Sequence, residues 1–267
     1  LLRPSTHRRM AEYRELARRR LGRPALVLAL SARVRDDLRR HDRLPEQQIR
    51  VLPNGVDHDR YRRDTSARDR VRHDLGLEDA TVFLLLAHNS RLKGLPTALR
   101  ALAATPAERR AQLLVIGRGE SSAYSRLATN LGIAQRVHFI GAVDDPRPYL
   151  SCADIYLHPT LYDPCSLATL EALACELPVI TTRNNGVSEL MNHGREGLIL
   201  EDPLDHQQLA RLMLELCDSR RRAAMGRAAR RLALHHSCAR SFSAVFDVYR
   251  DILEDRQRKR HSSCVAP

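Results

Sequence analysis

Stretches of nearly continuous apolar residues alternate along this chain with stretches whose apolar positions recur every three or four residues. T-V-F-L-L-L-A-H (81–88), Q-L-L-V-I-G (112–117), V-H-F-I-G (137–141), D-I-Y-L-H (154–158), P-V-I-T-T (178–182) and G-L-I-L (197–200) predict short strands, the first buried on both faces. L-P-T-A-L-R-A-L-A (95–103), Ser121 to Leu131, Leu204 to Leu216, Ser219 to Leu234 and Arg240 to Leu253 predict helices, the last with Phe242, Val245, Phe246 and Tyr249 at helical spacing. Such alternation predicts an α/β fold built on a doubly wound parallel sheet, which places ligands against the loops at the carboxyl ends of its strands.

Upstream, Arg8 to Arg20 is a basic, helix-favouring stretch, and A-L-V-L-A-L (25–30) is a short buried strand ending at Ser31, followed by a helical pattern through Val34 and Leu38. I-R-V-L-P-N-G-V-D (49–57) is a strand running into a turn, because Asn54-Gly55 favours positive φ. The first residue is Leu, and the pattern begins in mid-structure.

The 267 residues carry a formal net charge of +12, with a pI near 10.1. Only Lys93 and Lys259 among the 44 basic residues are lysines, so the charge reflects a general use of Arg rather than a built basic surface. There is no aromatic RNA-binding strand, zinc-finger spacing or Trp, and no nucleic acid is expected as partner. Six cysteines, at 152, 165, 175, 217, 238 and 264, form no C-x-x-C pair, which predicts reduced thiols in a cytosolic protein. Cys165, in a loop, is expected to be accessible. No apolar run approaches the roughly 18 residues of a membrane span, and nothing reads as a signal peptide. The expected location is cytoplasmic, with peripheral contact to the anionic membrane face favoured by the positive charge.

Chemistry concentrates in Y-D-P-C-S-L-A-T-L-E-A-L-A-C-E-L-P-V-I-T-T-R-N-N-G-V-S-E (162–189). Asp163 lies in a loop closed by Pro164, and Glu171 lies eight positions on, in a helix that begins near Ser166. The two carboxylates bracket the first turns of that helix, whose free N–H groups attract phosphate oxygens. One carboxylate is placed to hold a sugar and the other a ribose, with a diphosphate between them. A nucleotide-sugar fits that order of charges.

At these residues the chain resembles the retaining glycosyltransferases of family 4, which have the GT-B fold and a donor-site signature E-x7-E followed by A-x-A-x-G-x-P-V-[IV]-x-[TS]. Here the frame reads Asp163-x7-Glu171, then Ala172, Ala174, Glu176, Pro178, Val179, Ile180 and Thr182. It departs at Asp163, one methylene shorter than the usual Glu, and at Glu176, where Gly is usual. P-N-G-V-D (53–57) resembles the family's inter-domain connection. H-N-S-R-L-K-G (88–94) resembles the loop G-R-x-x-x-x-K-G, with His88 at the Arg position, and in this it is similar to the lipopolysaccharide-core glucosyltransferases. The resemblance covers residues 25 to 255.

The resemblance implies a Rossmann-like nucleotide-sugar domain over 50–235, a remnant of an N-terminal acceptor domain over 1–49, a helix over 236–257 that crosses back onto that domain, and a disordered basic tail over 258–267. It implies that Glu171 takes the ribose hydroxyls, Asp163 orients the hexose, and Lys93 and Arg91 face the diphosphate. It further implies that Ser166 and Leu167 give backbone N–H groups to the diphosphate, and that Cys165, Gly117, Arg118, Val143 and His88 border the donor. Asp144-Asp145-Pro146 reads as a turn or helix cap, His158 as a packed imidazole, and Glu189 as a structural acid at a helix start. No metal and no cofactor are expected, because cations and a helix start neutralise the diphosphate.

The function implied is transfer of a hexose, with retention by same-face attack, from UDP-glucose or a similar donor to a glycan or lipid-linked acceptor in cell-envelope polysaccharide synthesis. Alternatives are a donor-binding half without activity of its own, a sugar-nucleotide epimerase of the same fold, and a basic binding protein on a Rossmann scaffold.

Overall fold

In the computed structural model, residues 26–118 and 121–263 are described; the basic stretch from Arg8 to Arg20 lies outside them. Strands β1 (Val27–Ala29) and β2 (Ile49–Val51) pair in parallel, joined by helix α1 (Ala32–Asp42). Ala29, Leu38, Leu44 and Ile49 form their own small core. Ser31 caps α1 through its side chain, which accepts the Val34 N–H at 3.4 Å.

The larger unit is a parallel six-stranded sheet of β3 (Thr81–Leu86), β4 (Ala111–Ile116), β5 (Val137–Gly141), β6 (Ile155–His158), β7 (Val179–Thr182) and β8 (Gly197–Leu200), in the order β5-β4-β3-β6-β7-β8. Apolar runs are required here because both faces are covered. Phe83, Leu85, Leu113 and Val115 enter one core, and Val82, Leu84, Leu114 and Ile116 the other. Around the sheet lie α2 (Thr65–Leu75), α3 (Leu95–Ala103), α4 (Ser121–Asn130), α5 (Arg147–Cys152), α6 (Leu167–Ala174), α7 (His206–Glu215) and α8 (Ser219–His235). α2 has no apolar stripe to announce it. It docks by charge: Arg68 and Arg72 clasp the buried Asp154 at 2.7 and 3.2 Å and bond the Cys152 carbonyl. Asp64 caps its start, the side chain accepting the Ala67 N–H at 3.0 Å, and Gly76 ends it in the left-handed region.

Chain direction places the site. From β3 the sheet grows outward through β4 and β5, and from β6 it grows the other way through β7 and β8. The order therefore reverses between β3 and β6, and the crevice outside their carboxyl ends is where such sheets bind ligands.

The Pro53-Asn54-Gly55 turn lies beside the end of α8. The Val56 N–H donates to the His236 carbonyl at 2.9 Å, and the Cys238 N–H to the Val56 carbonyl at 3.0 Å. A Cβ on Gly55 would fall 2.4 Å from the Ser237 carbonyl oxygen, so this approach needs glycine. α9 (Cys238–Ser263) then runs past the small unit, with Arg50 and Asp251 paired at 3.8 Å. The helix continues to Ser263, so the disordered tail expected from residue 258 is corrected over those positions; acidic and basic side chains spaced four apart, such as Glu254 and Arg258, support it. Phe242, Phe246, Tyr249 and Leu253 on α9 are exposed.

Candidate nucleotide-sugar site

A cavity of about 650 Å³ opens at the β3–β6 reversal. His88, Lys93, Gly117, Arg118, Val143, Asp163, Cys165, Ser166, Leu167 and Glu171 all line it, whereas Arg91 does not and its side chain is exposed. Gly117 follows β4 at φ 147°, and a Cβ there would sit 1.8 Å from the Ala87 carbonyl oxygen. Only glycine lets the loops after β3 and β4 close on each other at the cavity wall.

Two loops bring Lys93 and Asp163 together. The Leu161 N–H and the Thr160 hydroxyl both donate to the Leu92 carbonyl, at 2.8 and 2.9 Å, and so fasten the loop after β6 to the loop after β3. Lys93 Nζ then lies 2.5 Å from Asp163 Oδ2, and His158 Nε2 lies 3.2 Å from the same oxygen. Burial alone would raise the Asp163 carboxyl. The hydrogen bonds from His158 and Lys93 overcome it and hold the group below its ordinary value. His158 is itself 1% exposed, and burial lowers its pKa, so the ring is neutral.

At the start of α6, Ser166 is the N-cap, its Oγ accepting the Thr169 N–H at 3.2 Å. The Ser166 N–H is already taken by Asn185 Oδ1 at 3.3 Å. The N–H groups of Leu167 and Ala168 keep no backbone or side-chain acceptor among the described residues, and they supply the positive end of the helix. Just over a turn further on, Glu171 is half-buried; burial raises its carboxyl, with the Tyr61 phenol and Arg60 drawing it partly back. Cation and carboxylate, helix start, and second carboxylate thus follow one another along one wall.

The order of these groups coincides with a family pattern. Residues 80–219 match the model described as "Glycosyl transferases group 1", and residues 2–60 match "Glycosyltransferase Family 4". The chain belongs to the family 4, group 1 glycosyltransferases. Among relatives, the lipopolysaccharide glucosyltransferase WaaG of Escherichia coli is 26% identical over 193 residues, 70% of this chain and 52% of that protein. D-inositol 3-phosphate glycosyltransferase 2 of Catenulispora acidiphila is 32% identical over 236 residues, 82% of this chain and 54% of that protein. The chain spans about half the length of these curated relatives. The crystal structure of Anabaena Alr3699/HepE in complex with UDP-glucose superposes with a TM-score of 0.82 at 22% identity, covering 92% of this chain and 68% of that one. The sheet is thus that of the GT-B glycosyltransferases.

Within this glycosyltransferase frame, the expectations for Arg91, Ser166 and Cys165 change, while Asp145 and Glu189 keep the roles read from the sequence. Arg91 stands outside the cavity because the loop turns at Gly94, whose N–H bonds the Arg91 carbonyl at 3.2 Å. Ser166 contributes as a cap, its own N–H being engaged by Asn185. Cys165 is 4% exposed, and burial pushes its thiol up to about 11, so it is not accessible. Its carbonyl accepts Asn54 Nδ2 at 2.8 Å, which ties the Pro-Asn-Gly turn to the cavity wall. Asp145 accepts the Arg147 N–H at 3.0 Å, as a turn or cap residue does. Glu189 accepts the N–H groups at the start of α1.

Three contributors were overlooked. Asn185 is fully buried beneath the α6 start: its Oδ1 accepts the Ser166 and Val187 N–H groups, and its Nδ2 donates to the hydroxyls of Thr169 and Thr181. His158 reads in sequence as packing, yet it contacts Asp163. Tyr61 faces Glu171 from 110 positions upstream, and no local signal reveals that.

Proposed function

We propose that this chain forms the donor side of a glycosyltransferase that moves a hexose from a UDP-sugar to a hydroxyl of a glycan or lipid-linked acceptor in cell-envelope or glycolipid synthesis. The observation that carries the reading is the order of groups along the cavity: the Lys93–Asp163 pair, the open N–H groups of α6, then Glu171. Glu171 accepts the two ribose hydroxyls, for which a carboxylate is a bidentate acceptor. The N–H groups of Leu167 and Ala168, with Lys93, stabilise the charge that grows on the leaving diphosphate as the glycosidic bond breaks. Asp163 accepts hydrogen bonds from hexose hydroxyls, and it is not a glycosidase-type nucleophile, consistent with same-face attack and retention. Gly117, Arg118 and Val143 border the nucleoside end, with His88 at the mouth of the β3 loop. Support for UDP and for an envelope acceptor comes from the names of the relatives: a lipopolysaccharide glucosyltransferase, and a crystal structure containing UDP-glucose.

Because the chain spans about half of its relatives, donor binding rather than transfer is the direct test. Thermal unfolding is measured with UDP, GDP, ADP and UDP-glucose, since a ligand of the folded state raises the midpoint by mass action. A rise with UDP and UDP-glucose that vanishes in Glu171→Ala is expected; no rise with any nucleotide sinks the reading. Contact with an anionic membrane also belongs to this proposal. Among the described residues no helix is long and apolar enough to cross a bilayer, but Arg35, Arg39, Arg40 and Arg43 cluster around a shallow depression on α1. Retention on vesicles that does not respond to anionic lipid content counts against it.

A further inference from the structure

The contacts of Asp163 are unequal. Both Lys93 Nζ and His158 Nε2 bond Oδ2, while Oδ1 has no protein partner among the described residues. The two bonds to Oδ2 also differ in kind. Lys93 is partly exposed on a flexible stem, whereas His158 is sealed at the end of β6, its carbonyl accepting the Thr181 hydroxyl at 2.9 Å. Behind it, the fully buried Tyr156 stacks on the imidazole with ring centroids 5.8 Å apart, and its hydroxyl lies 3.4 Å from Nδ1.

Proton positions follow from chemistry. An ionised carboxylate only accepts, so the hydrogen lies on Nε2; the neutral ring then accepts at Nδ1, and the Tyr156 hydroxyl donates to it. Tyr156 thus fixes the tautomer that His158 needs to hold Asp163, as outer partners fix histidines that hold metals. We infer that His158, locked by Tyr156, is a positioning residue that anchors Asp163 Oδ2, leaving Oδ1 for a sugar hydroxyl and Lys93 free to turn to the diphosphate. This rests on the cavity being a nucleotide-sugar site. A short carboxylate with one fixed oxygen reaches one defined point, so the anchor takes part in hexose selection. His158 acts through Asp163, and its effect falls on the sugar and not on the nucleotide.

The test compares UDP and UDP-glucose affinities of the full chain by calorimetry, for the unaltered protein and for His158→Ala, His158→Gln and Tyr156→Phe. Losing a hydrogen bond to a charged group is expected to shift the ratio of the two affinities against UDP-glucose on the order of tenfold in His158→Ala. UDP affinity stays within about twofold, since the ribose and diphosphate contacts are intact. Gln, whose amide reaches toward the position of Nε2, restores most of the ratio, and Tyr156→Phe shifts it in the same direction by less. An unchanged ratio, or equal loss of both ligands, overturns the inference. Nitrogen-15 imidazole spectra of the unaltered protein decide the matter even if the variants unfold. A neutral Nε2–H ring whose signal is moved by UDP-glucose but not by UDP is expected; an Nδ1–H ring, or an equal response to both, overturns it. If the unaltered protein binds neither nucleotide, the reading of the cavity falls instead, while the tautomer still reports whether His158 anchors Asp163.

Discussion

Glu189 accepts the backbone N–H of Ala32 at 2.7 Å across 157 positions of sequence. Its second oxygen takes the Arg33 N–H at 2.8 Å, so one carboxylate from the sheet unit neutralises the start of α1 in the small unit. Glu189→Ala is expected to leave the sheet unit intact and to speed hydrogen exchange in residues 27–51, with Glu189→Gln intermediate. Equal protection of those residues in the Ala variant would remove any role for this contact in joining the units.

The Lys93–Asp163 pair makes stability depend on pH in a defined direction. The folded pKa of Asp163 lies below its ordinary 3.8, so its contribution is complete above about pH 5 and is lost as pH falls through the lowered value. Denaturant unfolding between pH 7 and 3 should therefore weaken the unaltered protein more than Asp163→Asn. Lys93→Met, which strips a buried carboxylate of its cation, is expected to cost about 3 kcal/mol.

Asn185 holds the floor of the site through four bonds, at 3.3, 3.2, 3.1 and 3.0 Å. Asn185→Ala leaves buried donors and acceptors unmet and should destabilise the fold by about 3 kcal/mol. The same variant frees the Ser166 N–H; a midpoint within 2 °C of the unaltered protein would contradict the role given to Asn185.

Glu176 sits at φ 62°, just past the end of α6. The left-handed backbone costs a β-carbon-bearing residue about 1 kcal/mol, so Glu176→Gly should be more stable by roughly that amount. Equilibrium unfolding of the two proteins reads the difference directly.

Cys165, though it lines the cavity, is expected to resist alkylation in the folded protein at pH 8, because burial pushes its thiol up to about 11. Cys238 is less enclosed and should react first among the described cysteines. Peptide mapping after brief iodoacetamide treatment distinguishes them.

Strands buried on both faces, such as 81–86, were legible because continuous apolar runs leave few other solutions, and their ends shifted by only a residue or two. α2 and α5 were not read, since α2 docks through arginines and α5 is a short helix of six residues after Pro146. At the site, Asp163, Ser166 and Glu171 were legible because they lie within one strand-to-helix segment whose spacing is local.

Sequence by itself determined the alternation of strands and helices, the local order of carboxylate, helix start and carboxylate, and membership in the glycosyltransferase family. Which oxygen of Asp163 is occupied, the burial of Cys165, the exclusion of Arg91 and the convergence of Tyr61, Asn185 and His158 were decided only by tertiary structure. The reason is physical. Periodicity and spacing are properties of neighbours along the chain, whereas hydrogen-bond partnership and desolvation arise from residues as far as 188 positions apart that meet only when the sheet reverses its order and its loops close.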